Sequence, residues 1–168
     1  MIVVSDTSVL SGLAIVGQLD LLRALYGQVV VPAAVMNELR RGAQDDARLI
    51  EVLSIDWLAV KACKRSQLVA ELQTVYKLDR GEAEAISLAL ELEADALLID
   101  ERLGRREASR LGLSITGTLG VLLAAKRQNL IGEIRPVVDA LISEASFRLS
   151  NQLYTEVITT AGEAVGDV

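Results

Sequence analysis

Three stretches of this chain are apolar at successive rather than alternate positions: IVVS at 2–5, VVVP at 29–32 and ALLID at 96–100. A strand of that kind has no wet face and needs cover on both sides. Helical segments lie between the stretches, and short apolar strands alternating with helices call for a parallel sheet between two helical layers. The expected architecture is therefore a three-layer α/β/α fold with a mostly parallel sheet. Weaker strands are predicted at 57–60 and 114–116. Helices are predicted at 9–16 and 19–25 with a break at Gly17, from Pro32 toward Arg41 with an end at Gly42, and at 47–53, 66–75 and 80–92. Further helices are expected at 101–111 with a stop at Gly112, and at 117–128, 133–145 and 152–160, the last capped by Ser150. No linker or repeat interrupts the 168 residues. Residues 1–150 read as one domain, with 151–168 as a C-terminal helix and a frayed tail.

Asp6 is the only charged residue in the opening MIVVSDTSVLSGLAIV. A carboxylate that follows a buried strand is costly unless something of opposite charge meets it. It can cap the helix that begins near Ser8. In doubly wound sheets, however, ligands bind beyond the carboxyl ends of the strands, where strand order reverses. Asp100, at the end of ALLID, carries the same two readings, and two acids at two strand ends favour a site. Glu38, in PAAVMNELRR, borders the stripe marked by Val31, Val35 and Leu39. In GEAEAISLALELEAD, Glu82 shares a face with Ala85, Ile86 and Ala89, whereas Glu84 shares one with Ser87, Leu88 and Glu91. Glu82 is thus expected on the packed side and Glu84 on the wetter one, with Asp79 as the N-cap.

The chain has no histidine, which removes Ser-His-Asp triads, histidine acid–base nucleases and His-ligated zinc. Its one cysteine, Cys63, cannot form an internal disulfide, and cytosolic chemistry suits that. The longest uncharged run, 111–125, is shorter than the ~20 residues of a spanning helix, and no basic leader precedes Asp6. A cytoplasmic protein without membrane contact is expected. The formal net charge of −6 disfavours holding nucleic acid by bulk electrostatics, but not an enzyme that meets phosphate through metal ions. If Asp6, Glu38, Glu82 and Asp100 converge, each pair at ~4 Å repels by ~4 kcal/mol at an effective dielectric of ~20. Such a cluster must hold protons or divalent cations. All-oxygen ligands suit Mg²⁺ or Mn²⁺, and hard metals on carboxylates suit phosphodiester hydrolysis.

DTS after the first strand, EL on the helix after the second, an acid opening an Ala-rich helix and Asp100 eighteen residues later resemble the PIN domain. That family includes metal-dependent ribonucleases, among them VapC-type toxins of toxin–antitoxin pairs. The resemblance spans about residues 1–125. The stretches GEAEAISLALE, LLIDERLGRREASRLGL and TGTLGVLLAAKRQNLI look like a less characterised PIN-like subgroup. The resemblance implies Asp6, Glu38, Glu82 and Asp100 as the catalytic, metal-binding set, with Thr7 or Ser8 steadying Asp6 by hydrogen bonding. It implies Mg²⁺ or Mn²⁺ as cofactor, RNA as substrate, 5′-phosphate and 3′-hydroxyl products, an antitoxin partner and a homodimer. Two departures stand out: the third acid is Glu82 where Asp is usual, and Leu103 and Gly104 lie where many relatives carry a further Asp.

Arg102, Arg105, Arg106 and Arg110 either guide RNA phosphates or form a solvated helix face. Aromatic residues are too sparse to suggest a base-stacking platform. Two other functions are compatible with these residues: a catalytically silent PIN-like module that binds a partner, and a phospho-acceptor domain built on Asp6.

Overall fold

The computed structural model of the chain describes residues 1–164. Among them, five strands form one wholly parallel sheet: β1 (Val3–Ser5), β2 (Val29–Pro32), β3 (Leu58–Lys61), β4 (Ala96–Leu98) and β5 (Ile115–Thr116), in the order β3-β2-β1-β4-β5. The apolar runs do become strands buried on both faces. Val3, Val29, Val31 and Leu98 enter one core, and Val4, Val30, Leu97 and Ile99 enter the other.

The first core is covered by α1 (Thr7–Ile15), α2 (Asp20–Tyr26), α3 (Ala33–Asp45), a 3-10 helix (Ala47–Ser54), α7 (Thr118–Arg127), α8 (Arg135–Glu144) and α9 (Asn151–Thr160). The second is covered by α4 (Ser66–Thr74), α5 (Arg80–Glu91) and α6 (Arg102–Arg110). The three-layer α/β/α expectation holds. The predicted break at Gly17 and stop at Gly112 also hold, because both glycines adopt the left-handed backbone (φ 72° and 86°) that side chains resist. Ser150 caps α9 by accepting the Leu153 N–H at 3.1 Å.

Three local expectations change. Gly42 does not end α3, which continues to Asp45. A Cβ at Gly42 would lie 2.9 Å from Leu49 Cδ1, so the glycine admits the 3-10 helix against α3. The strand in ALLID stops at Leu98, although the Ile99 N–H still reaches Thr116 O at 3.0 Å. The beginning of the predicted frayed tail is tied down. Glu163 accepts from Lys126 Nζ at 2.7 Å and from the Ile134 and Arg135 N–H groups at 2.8 and 3.0 Å, at the start of α8. Residues 165–168 of that tail lie outside the described residues. No described helix is long and apolar enough to cross a membrane.

Candidate functional site

Strand order turns around β1, which pairs with β2 on one side and β4 on the other. The crossing helices leave toward opposite faces there, the place where sheets of this kind bind ligands, and a groove lined by Ser8 and Asp100 opens beside it. Asp6 follows β1 directly, and its N–H donates to Leu98 O at 2.9 Å. Asp100 lies two residues beyond β4. The side chain of Asp6 makes no cap bond to α1, although Asp6 occupies the cap position. Asp6 is 3% exposed, and its Oδ1 has no hydrogen-bond partner. Burial is the largest influence on its carboxyl. The charges of Asp79, Glu38 and Asp100 add to it, and against the Thr7 N–H they raise the pKa to about 7.

The other acids arrive on separate elements. Glu38 projects from α3, where the Thr7 hydroxyl donates to its Oε2 at 2.5 Å. A Cβ on Gly81 would collide with the Glu38 carboxylate, so α5 makes room for it by having a glycine there. Glu82 is 7% exposed; burial and a hydrogen bond with Asp79 lead the influences that push its carboxyl up to about 9, and the Asp6 charge adds to them. Gly104 of α6 backs it, since a Cβ there would lie 3.2 Å from Glu82 Oε2. Asp100 is braced by the start of α7 and does not cap α6: Thr118 N–H donates to its Oδ1 at 2.7 Å and Thr118 Oγ1 to its Oδ2 at 2.6 Å. A Cβ at Gly117 would lie 2.8 Å from that same Oδ1. Three glycines on three segments thus each press against one acid.

Some sequence readings need correction. The Thr7 hydroxyl steadies Glu38 rather than Asp6, and the buried Ser8 hydroxyl bonds neither. Glu84 is not on a wet face: it is 7% exposed, its Oε1 accepts the Ala34 N–H at 3.3 Å, and its Oε2 accepts from Arg80 Nε at 2.8 Å. Ser87 is fully buried as well. Asp79 is the N-cap of α5, accepting the Glu82 N–H at 2.8 Å, but it also faces both Asp6 and Glu82. Its capping role hid its place among the acids.

Among the described residues, no three carboxylates or thiols are gathered closely enough to hold a metal ion as they stand. Glu38 and Asp100 are turned toward hydroxyl or amide donors. The donor chemistry nevertheless fits a hard divalent cation. Asp6 keeps one buried oxygen unpartnered and feels the charges of Asp79, Glu38 and Asp100, an all-oxygen donor set.

Of the α6 arginines, Arg102 and Arg105 line a groove that begins at Asp100, and Arg105 Nη1 donates to Ile99 O at 2.9 Å. Arg106 and Arg110 lie beside Glu107, at 4.0 and 2.6 Å, and Arg110 also stacks over Tyr76.

A family model described as a PIN domain matches residues 2–163 and so runs through α9. No curated protein and no solved structure matches the chain.

Proposed function

Because the chain belongs to the PIN-domain family, a nuclease-type fold, we propose that it is a Mg²⁺- or Mn²⁺-dependent endoribonuclease and the toxin of a toxin–antitoxin pair. The observation that carries this reading is Asp6: a buried carboxylate with a free oxygen, ringed by acids at the strand-order reversal. Asp6 and Asp100 would hold the cation, and Glu38 and Glu82 would complete its ligands or orient water. A divalent cation held there would supply Lewis acidity, making the attacking water more acidic and offsetting phosphate charge. Thr7 and Thr118 fix Glu38 and Asp100 before substrate arrives. Water oxygen bonds to phosphorus as the P–O3′ bond breaks. The water proton passes to the 3′ oxygen, giving a 5′-phosphate and a 3′-hydroxyl.

Purified protein should cleave a mixed RNA pool with Mg²⁺ but not with chelator, and folded Asp6→Asn should not cleave. Cleavage retained by that variant refutes the assignment. The absence of any cleavage by folded wild type favours a silent binding module. The partner in this reading is an antitoxin segment whose Arg or Lys enters the acidic cleft, in keeping with the net charge of −6. Expression alone should slow growth and co-expression of that partner relieve it. Harmless expression of folded protein counts against the toxin role. A homodimer and a cytoplasmic location belong to the same reading.

A further inference from the structure

The groove that begins at Asp100 is large, about 1140 Å³, and of the four candidate acids only Asp100 lines it. Its lining passes Arg102 and Arg105, follows α1 and α7, and reaches the 145–149 segment between α8 and α9. Two more arginines stand on that distal part, Arg127 at the end of α7 and Arg148, and both are exposed. Among the described residues, none of these four arginines forms a salt bridge, whereas Arg48, Arg80, Arg106 and Arg110 do. Among the described residues, a chain of net charge −6 therefore keeps four guanidiniums without a carboxylate partner along a single groove, Arg105 giving one N–H to Ile99 O. Tyr26 and Phe147, the chain's only phenylalanine, are half-buried in the same lining. Two of the chain's few aromatic residues thus line the same groove as the four arginines.

We propose that this groove is the path of a single RNA strand, with Arg127 and Arg148 holding phosphates away from the cleaved bond and Tyr26 and Phe147 receiving bases. The proposal rests on the nuclease reading and extends it from the reacting phosphate to the strand on one side of it. Guanidiniums pair with phosphate oxygens through two parallel N–H donors. A cationic track joined to aromatic rings is the physical requirement for holding unpaired nucleotides, because every base has a face to stack. A duplex offers no such faces and is read across its outer shape, so it gains nothing from Tyr26 or Phe147. An acidic protein segment could satisfy the arginines, but it would not require the rings.

Binding can be read without cleavage. A fluorescein-labelled single-stranded RNA of mixed sequence, and the same strand in a duplex, are titrated with full-length Asp6→Asn protein in chelator, using fluorescence anisotropy. Arg127→Glu and Arg148→Glu should each weaken single-strand binding by about tenfold and flatten its salt dependence by about 0.7 in log–log slope. Phe147→Ala should weaken it with the salt slope unchanged. Lys61→Glu, on β3 at the opposite edge of the sheet, should leave binding as it was. Unchanged affinity in folded Arg127→Glu and Arg148→Glu overturns the proposal, as does tighter binding of the duplex or saturation of the groove by an acidic peptide alone. Groove-dependent binding by a wild-type protein that never cleaves RNA upholds the path and refutes only the nuclease reading. Cleavage indifferent to both arginines does the reverse.

Discussion

Replacing Glu84 should damage this protein more than its distance from Asp6 suggests. The first turn of any helix leaves N–H groups without partners. At the start of α3, the cap position is Pro32, which offers no side-chain bond. Glu84 reaches across from α5 and accepts the buried Ala34 N–H, so one carboxylate caps a helix fifty positions away in sequence. Removing it leaves that N–H buried and unpaired, which costs about 1–3 kcal/mol. It also removes a negative charge from the positive end of α3, worth a further ~0.3–1 kcal/mol. The bond to Arg80, whose side chain is 70% exposed, adds at most a few tenths of a kcal/mol. Glu84→Ala should therefore lose about 2–3 kcal/mol. In urea, with a slope of about 2 kcal/mol/M, the midpoint should fall by about 1–1.5 M at unchanged slope. Glu84→Gln keeps an acceptor oxygen and should lose about half as much. Glu38 lies just over one turn further along α3, so RNA cleavage should fall with kcat more than with KM. A midpoint for Glu84→Ala within 0.2 M of wild type (about 0.4 kcal/mol at that slope) would refute the tether.

The neighbouring acids should respond with the opposite sign. Folding raises the carboxyl pKa of Asp6 to about 7 and of Glu82 to about 9, so between about pH 4 and those values the folded state holds more protons than the unfolded one. Stability of the metal-free protein should then fall as pH rises from 5 to 9. Asp6→Asn should lessen the fall only up to about pH 7 and Glu82→Gln over the whole range, above pH 7 most of all, while both abolish cleavage. Thermal melts in chelator decide this, and three parallel profiles would contradict it. Mg²⁺ or Mn²⁺ should raise the wild-type melting temperature and do so less for Asp100→Asn, with equal shifts arguing against Asp100 as a ligand. Gly81→Ala meets only the flexible end of Glu38, so it should leave melting unchanged or slightly higher yet reduce cleavage about tenfold or more. A fully active Gly81→Ala would show that Glu38 need not sit where it does.

The sheet was legible because β1, β2 and β4 are apolar at successive positions, a pattern that only two-sided cover satisfies. Asp6 and Asp100 were legible because they follow such runs. Glu84 was not, because helical phase separates a wet face from a dry one only when a wet face exists. From Gly81 to Ala89, α5 is buried on every side between the sheet, α3, α4 and α6. Gly42 misled for a related reason: a glycine that admits a neighbouring helix looks in sequence like one that ends its own. Asp79 already had a satisfactory local role. The groove was beyond sequence reasoning, since Tyr26, Arg102, Arg127 and Arg148 are joined only by the path of the chain.

The order β3-β2-β1-β4-β5 also sets a timetable for the growing chain. β2 and β3 emerge early and can cover one edge of β1, but β4 lies some ninety residues behind it. At about 5–20 residues per second on the ribosome, the second edge of β1 stays open for roughly 5–20 s. Through most of that interval Asp6 has neither Asp100 nor Glu82 available to it, and Asp100 in turn gains its brace only when Thr118 appears. A half-made chain therefore exposes a bare apolar strand to chaperones while the acid cluster is still incomplete. The site is complete only once β4 can pair with β1 and Thr118 has followed it to brace Asp100.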